Sequence, residues 1–264
     1  MSKKVSRKKF IKTGAALGVT AMLTPKRTLA YVSGTDTPKW GMLIDLRRCY
    51  GCKSCAIACK AEFDVRLGVF KSNVIEYEKG KFPNAERHFL PWLCNHCSDP
   101  PCVEVCPTDP VTKTHNGVSY EAKATYKRPD GSVLYDIERC VGCHACVEEC
   151  PYKARYIDPL LKAGDEPENN AIGKCTFCMH RVDQGIEPSC VNTCPGNARI
   201  FGDLNDPDSE ISKLISENKK DIKTIHPDYG TSPNVYYLDY SEETFDKGND
   251  IRNEVPSEWG QNRK

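Results

Sequence analysis

The cysteines constrain what this chain can fold into more than any other feature, because all sixteen fall into four groups of four. The first and third groups read C-x2-C-x2-C-x3-C, the second reads C-x2-C-x4-C-x3-C, and the fourth reads C-x2-C-x11-C-x3-C. The four groups, called motifs 1 to 4, are Cys49/Cys52/Cys55/Cys59, Cys94/Cys97/Cys102/Cys106, Cys140/Cys143/Cys146/Cys150 and Cys175/Cys178/Cys190/Cys194. No cysteine is left over, so the motifs account for every thiol in the sequence.

The spacing in motifs 1 and 3 is that of bacterial ferredoxins, whose thiolates hold [4Fe–4S] clusters. Three closely spaced cysteines bind three irons of one cluster, and the fourth cysteine ligates the other cluster of a pair. Pro107, Pro151 and Pro195 directly follow the last cysteine of motifs 2, 3 and 4. The sequence therefore predicts four [4Fe–4S] clusters, with all sixteen cysteines as ligands and electron transfer as the activity.

Two other uses of clustered cysteines are a disulfide scaffold and structural zinc. Disulfide frameworks are typical of small secreted domains without a sufficient core, whereas this chain has 264 residues. Zinc sites need two C-x2-C pairs, and they give no reason for a third cysteine three residues on. Four near-identical quartets thus favour iron–sulfur clusters. Gly51 and Gly142 agree with that prediction, since backbone packed against a cluster has little room for a Cβ.

The charge distribution separates the first thirty residues from the rest. Residues 1–30 contain eight Lys or Arg and no acid, whereas the remainder contains 29 basic and 36 acidic residues. This acidic balance argues against a nucleic-acid partner, which would need a basic face. It suits a redox protein that docks on partners through specific patches.

The segment Ser6–Lys12 resembles the twin-arginine export consensus, with lysine in place of the second arginine. A mild apolar stretch over residues 13–24 follows, and Ala30 allows small-residue cleavage. The sequence therefore predicts an export signal over residues 1–30 and a folded protein at the periplasmic or outer face of the membrane. The alternative is a disordered basic tail. Neither this stretch nor any later one is long enough to span a bilayer, so we expect any membrane attachment to come from a partner or from an uncleaved signal.

The first and third motifs lie in an internal repeat. Residues 42–49 parallel residues 133–140, and each pattern predicts a short strand that leads into a cluster loop. Short helical pieces, Ala56–Cys59 and Val147–Cys150, carry the fourth cysteines. Further along, residues 198–202 predict a strand, and residues 211–216 predict a helix capped by Ser209 or Asp208. The repeated unit of strand, loop and helix indicates an α+β fold of ferredoxin-like domains.

Polar side chains near the motifs are interpreted as supporting groups. Three histidines lie within or beside the motifs: His96, His144 and His180. Because the thiolates complete the ligand count, we expect these histidines at the surface or behind the ligands. Five basic residues lie near the cysteines: Arg48, Lys53, Lys60, Arg139 and Arg181. They either raise the reduction potentials of the clusters or are ordinary solvated charges.

The order of the four quartets, with one gap stretched in motif 2 and another in motif 4, resembles the four-cluster iron–sulfur subunits of the dimethyl sulfoxide reductase family of molybdenum enzymes. The resemblance covers about residues 41–206. Within the family the sequence is most similar to the beta subunits of tetrathionate reductases, and the segments that carry this similarity are residues 121–131, 138–143, 150–155 and 198–207. The polysulfide, thiosulfate and arsenate reductase branches have a similar pattern.

The resemblance implies how motifs pair, whereas spacing alone also permits motif 1 to pair with motif 2. It implies one ferredoxin-like domain (residues 88–160) inserted in another (41–65 plus 170–206), followed by an extension over 207–264. The four implied ligand sets, called sites I to IV, are Cys49/Cys52/Cys55/Cys194 (site I), Cys175/Cys178/Cys190/Cys59 (site II), Cys94/Cys97/Cys102/Cys150 (site III) and Cys140/Cys143/Cys146/Cys106 (site IV).

The resemblance also implies a non-catalytic subunit. It would pass electrons between a quinol-oxidising membrane subunit and a molybdopterin catalytic subunit that reduces tetrathionate or another sulfur compound. The alternatives are service to a polysulfide, thiosulfate, arsenate or dimethyl sulfoxide reductase, or to a formate dehydrogenase or hydrogenase. A cysteine-rich exported binding protein without redox function is a further alternative.

Overall fold

The computed structural model describes residues 37–241, so the expected signal at 1–30 and the tail beyond 241 lie outside the described residues. Within this range the strands are β1 (Trp40–Asp45), β2 (Ser72–Lys79), β3 (Glu86–Leu93), β4 (Val111–His115), β5 (Val118–Ala122), β6 (Thr125–Lys127), β7 (Val133–Tyr135), β8 (Arg155–Lys162), β9 (Asn170–Lys174), β10 (Arg199–Asp203), β11 (Ile222–Lys223) and β12 (Val235–Leu238). The α-helices are α1 (Ser54–Phe63), α2 (Pro101–Glu104), α3 (Ala145–Glu148), α4 (Met179–Val182), α5 (Ser189–Asn192) and α6 (Glu210–Glu217).

A four-stranded sheet in the order β10-β1-β12-β11 surrounds the first cysteine loop. All six residues of β1 are buried, as expected for a strand covered on both faces. Met42 faces Phe201 of antiparallel β10 on one side and Val235 of parallel β12 on the other. The strands predicted around residues 42, 133 and 198 are confirmed. The sheet also takes in residues 235–238, from the segment that the sequence suggested as an extension.

Four two-stranded hairpins fill the polar stretches beside the motifs: β2–β3, β4–β5, β6–β7 and β8–β9. The β4–β5 connection is the two-residue turn Asn116–Gly117, in which both residues have positive φ (48° and 79°). Such a turn matches the twist of the flanking strands. Hairpins, rather than long helices, thus connect successive cysteine motifs.

The helices that carry cysteines are short, except α1. Helix α1 ends at Phe63, and the next residue, Asp64, has a left-handed backbone and donates its N–H to the carbonyl of Lys60. Helix α3 ends at Glu148, before Cys150, so the predicted helical piece is one turn that stops short of its cysteine. Helix α6 begins as predicted after Ser209, whose Oγ accepts the Ser212 N–H.

The hydrophobic core contains the thiols themselves. Its largest cluster joins β1 and the β2–β3 hairpin to cysteines from all four motifs: Cys55, Cys94, Cys97, Cys150, Cys175 and Cys190. Within residues 37–241, no helix is long and apolar enough to cross a membrane. Eleven of the sixteen cysteines are buried in this packed interior.

Candidate metal centres

All sixteen cysteines lie in the described part of the protein, and none of them forms a disulfide there. Cys52 and Cys143 are exposed. Cys49, Cys140 and Cys194 are half-buried, and the other cysteines are buried. Every exposed or half-buried cysteine therefore belongs to site I or site IV.

The thiols of site I meet around one cavity. Cys49, Cys52, Cys55 and Cys194 line a space of about 340 Å³ that opens to solvent. Strand β1 leads toward Cys49 and β10 follows Cys194, and the pairing of these two strands brings motif 1 to the end of motif 4. The cavity therefore combines three thiols of one motif with the last thiol of another.

Site II gathers the last cysteine of motif 1 with the first three of motif 4. Burial raises the pKa of Cys59, and the neighbouring thiols of Cys175, Cys190 and Cys178 raise it further. Helix α1, which carries Cys59, packs against α5, which carries Cys190. The helix contact thus places Cys59 among thiols more than one hundred residues away.

Site III gathers the last cysteine of motif 3 with the first three of motif 2. Burial raises the pKa of Cys97 to about 12 and that of Cys150 to about 11, and the thiol of Cys94 adds to both. Cys150 and Cys102 also act on Cys97. These four thiols therefore share one buried space.

Thr125 hydrogen-bonds cysteines of both motifs that contribute to site IV. The Thr125 N–H donates to Cys106 Sγ at 3.5 Å, and the Thr125 side chain hydrogen-bonds the Cys146 thiol. Burial raises the pKa of Cys146, and the thiols of Cys140 and Cys143 raise it further. The last cysteine of motif 2 thus lies beside the first three of motif 3.

The donor set fits [4Fe–4S] clusters. Backbone N–H groups donate to cysteine sulfurs: Gly142 to Cys140 at 3.4 Å, Phe177 to Cys175 at 3.4 Å and Ala198 to Cys194 at 3.2 Å. Hydrogen bonds of this kind, together with solvent exposure, adjust the potential of such clusters. Because burial raises the pKa of most ligand thiols, those thiols release protons when a cluster binds.

In the first C-x2-C pair of every motif, the third residue has a left-handed backbone. The φ values are 74° at Gly51, 44° at His96, 63° at Gly142 and 54° at Phe177. A Cβ on Gly51 would overlap the ring of Phe89, so packing as well as backbone conformation requires glycine there. The glycine was attributed to cluster packing from the sequence, and the structure adds this neighbouring ring.

The three histidines differ in their surroundings. His96 is fully buried, so a surface position is wrong for it; its ring stacks on Phe177 with centroids 3.6 Å apart. Burial lowers the pKa of His96 well below its usual value, and its Nδ1 accepts the Val133 N–H. His144 Nε2 lies 2.7 Å from the Asn170 carbonyl oxygen, and His180 Nε2 lies 2.8 Å from a Glu62 carboxylate oxygen. The fully buried His96 lies at the junction of sites II and III.

The basic residues singled out from the sequence are exposed or half-buried. Arg48 and Lys53 are exposed. Lys60 Nζ donates to the carbonyls of Arg66 and Val69 at 2.7 Å each. The other two, Arg139 and Arg181, donate to backbone carbonyls, and Arg181 also pairs with Glu62. None of these five is buried.

Among the buried cations of residues 37–241, Arg155, Lys174 and Arg199 are the least exposed, and none of these three was predicted from the sequence. A signal was present, because the pattern Cys-Pro-x-x-Ala-Arg occurs twice, at residues 150–155 and 194–199. The repetition places each arginine five residues after a cysteine that ends a motif. Both arginines begin strands, β8 and β10.

Comparison with known proteins agrees with this geometry. Residues 85–204 and 48–111 each match a family described as a 4Fe-4S dicluster domain. The sequence is 39% identical over 241 residues to the B subunit of tetrathionate reductase from Salmonella typhimurium, covering 88% of each protein. It is 38% identical to the B subunit of selenate reductase from Mesobacillus selenatarsenatis (76% and 72% covered). It is 34% identical to the iron–sulfur subunit of the arsenate respiratory reductase of a Shewanella species (75% and 95% covered). The protein belongs to the iron–sulfur subunits of dimethyl sulfoxide reductase-family complexes.

Membership in this family confirms the central predictions from the sequence. The protein contains two dicluster domains of mixed α and β structure, whose sixteen cysteines correspond to four [4Fe–4S] clusters. It is an electron-transfer subunit of a molybdoenzyme reductase complex and is not itself catalytic. The two matched ranges overlap at residues 85–111, so the nested domain boundaries stay a prediction.

Proposed function

We propose that this subunit carries electrons between a quinol-oxidising membrane subunit and the molybdopterin catalytic subunit of a tetrathionate reductase. The observation that carries the proposal is the gradient of exposure along the four sites. Cys52 of site I and Cys143 of site IV are exposed, whereas every cysteine of sites II and III is buried. Two exposed ends joined by a buried middle suit a path with one end where electrons arrive and one where they leave.

In this proposal the cysteines of sites I to IV each hold one [4Fe–4S] cluster. Thiols of sites I, II and III lie in one core cluster that contains Cys55, Cys190, Cys175 and Cys94, and this proximity supports a single linear order. The thiol of Cys55, from site I, acts on Cys190 of site II, and the thiol of Cys94, from site III, acts on Cys175 of site II. Arg155 lies near thiols of both site III and site IV. Electrons then pass along I–II–III–IV in either direction.

Tetrathionate as the terminal acceptor is supported by the 39% identity that covers 88% of both proteins. The proposed location at the periplasmic or outer face rests on the signal-like residues 1–30. A reporter that is active only after folded export tests that location when fused to residues 1–30. A matched fusion with Arg7 and Lys8 changed to alanine should stay in the cytoplasm, and equal export of both fusions would contradict a twin-arginine signal.

The function is tested on the complex purified anaerobically from cells that express this chain with its partners. Iron and acid-labile sulfide should each reach about sixteen per chain, since each cubane holds four of both. The quinol-reduced complex should then reduce tetrathionate, with selenate, arsenate and polysulfide as comparison acceptors. Turnover with one of those instead would reassign the acceptor, and an iron content near zero would contradict the electron path itself.

A further inference from the structure

Two buried arginines occupy equivalent places in the internal repeat. Arg155 and Arg199 end the two Cys-Pro-x-x-Ala-Arg segments, and their exposed fractions are 2% and 1%. Within residues 37–241, neither guanidinium has a carboxylate within ion-pair distance. A buried charge without a counter-charge is costly. The negative charge that compensates them must therefore come from the thiolates and the clusters they hold.

Arg155 lies between sites III and IV. Its Nη2 is 3.0 Å from the Sγ of Cys102, and its Nη1 is 3.4 Å from Thr125 Oγ1, the residue that also hydrogen-bonds the thiols of site IV. Although burial lowers its pKa, the thiols around it raise that pKa overall, and they come from both sites: Cys102, Cys146, Cys94 and Cys150. The guanidinium is thus shared by the two clusters of one pair.

Arg199 lies in the same way between sites I and II. Its Nη1 is 3.7 Å from Cys190 Sγ, and its Nη2 donates to Ser72 Oγ at 3.0 Å. Arg199 also lines the pocket formed by Cys49, Cys52, Cys55 and Cys194 of site I. The thiols that raise its pKa against the effect of burial include Cys190 and Cys175 of site II and Cys55 of site I. Each pair of clusters therefore encloses one arginine.

The middle junction, between sites II and III, has a lysine. Lys174 is fully buried, and its Nζ donates to the carbonyl of Cys175 at 2.7 Å and to that of Val133. An arginine keeps its charge in a protein interior, whereas a buried lysine can lose its proton. The two arginines are thus the fixed charges of the electron path.

We propose that Arg155 and Arg199 set the reduction potentials of the cluster pairs they separate, each raising the potentials of the two clusters beside it. Reduction adds an electron to a cluster, and a positive charge in a low-dielectric interior stabilises that electron. One shared cation acts on both clusters of a pair, so it raises their potentials together. The inference rests on the proposed assignment of clusters to sites I to IV.

The test is a redox titration of the full-length chain in its native complex, followed by electron paramagnetic resonance. Arg155→Gln should lower the midpoint potentials of two clusters, those of sites III and IV, and leave the other two near their native values. Arg199→Gln should give the complementary pattern at sites I and II. Arg87→Gln is the matched control, since it removes an arginine whose side chain is 57% exposed on β3.

Iron content separates failure of this inference from failure of the proposed function. If the unchanged complex lacks four clusters, the assignment of sites is wrong. If it holds four clusters and Arg155→Gln also holds four with unshifted potentials, or shifts all four equally, the role of the arginine is wrong. Should the glutamine variants lose iron, Arg155→Lys and Arg199→Lys decide the matter. The lysine variants are titrated at low pH, where a buried lysine holds its proton. Native potentials at that pH support the inference, and lowered potentials at that pH overturn it.

Discussion

Sites I and IV form the two ends of the path and sites II and III form its middle, yet all four use the same C-x2-C loop. At the ends the third loop residue is Gly51 or Gly142, and the exposed Cys52 or Cys143 follows it. In the middle the same position holds His96 or Phe177, whose rings stack on one another. The two exposed sites therefore have glycine before the second cysteine of the loop, and the two buried sites have an aromatic ring at that position.

This difference has a physical reason. The stacked rings of His96 and Phe177 are both buried. The glycines instead leave room for Phe89 and Asn169 to pack against their loops. Solvent exposure is one of the factors that set the potential of an iron–sulfur cluster. Sites I and IV can therefore contact partner subunits, whereas sites II and III are buried.

Removing a ligand from the middle should have the largest effect. Cys175→Ser should prevent stable assembly, because Cys175 is buried in the main core and cluster binding is coupled to folding. Cys52→Ser, at the exposed end, should lose only site I and retain about twelve irons per chain. Iron analysis of both purified variants measures this, and equal losses would show that the ends and the middle are equally essential to folding.

Chelation should remove about half of the iron first. An iron chelator added with a mild oxidant reaches the clusters beside Cys52 and Cys143 before those beside fully buried thiols. We expect two phases of bleaching of the cluster absorbance, each close to half of the total. A single phase would contradict the difference in access between the ends and the middle.

Gly51→Ala should destabilise the protein by about 3 kcal/mol, because alanine pays for a positive φ and meets the Phe89 ring. Gly68→Ala is the matched control, since Gly68 has a φ of 81° and nothing within 4 Å of an added Cβ. The control should lose about 1 kcal/mol from backbone conformation alone. Denaturant unfolding followed by cluster absorbance gives both values, and equal losses would remove Phe89 from the explanation.

His96→Phe should cost about 1–3 kcal/mol, because the stacked ring is kept but the Val133 N–H loses its acceptor in the interior. His180→Phe, at a side chain that is 48% exposed, should change stability by less than about 1 kcal/mol. The same denaturant titration compares the two variants. A His96→Phe protein as stable as the native one would mean that the stack alone holds the middle junction.

Local patterns in the sequence predicted the elements next to the motifs. Strands β1, β7 and β10 were predicted from alternation, and helix α6 from its Ser209 cap. The hairpin β2–β3 was not, because the sequence of β2 is largely polar, although Val74 and Tyr77 are buried in it. Strand β12 was missed for another reason: its parallel pairing with β1 joins residues nearly two hundred positions apart, and no local pattern encodes it.

For the metal centres, the sequence predicted the cofactor but not the buried arginines. Cysteine spacing identifies the cofactor, because each cubane needs four thiolates in fixed geometry. The buried arginines could not be recognised by composition, since charged residues are almost never fully buried unless paired. Their partners are thiolates from two sites each, and only folding brings those thiolates together.

The pairing of β1 with both β10 and β12 also fixes an order of events during synthesis. Strand β1 precedes the first cysteine, yet its neighbours are residues 199–203 and 235–238, near the other end of the sequence. Residues up to 238 must therefore be synthesised before the sheet beside Cys49 can form. The cysteines made first are among the last to be enclosed, and the cell has the time taken to translate the residues between them in which to keep those thiols reduced and supply their iron.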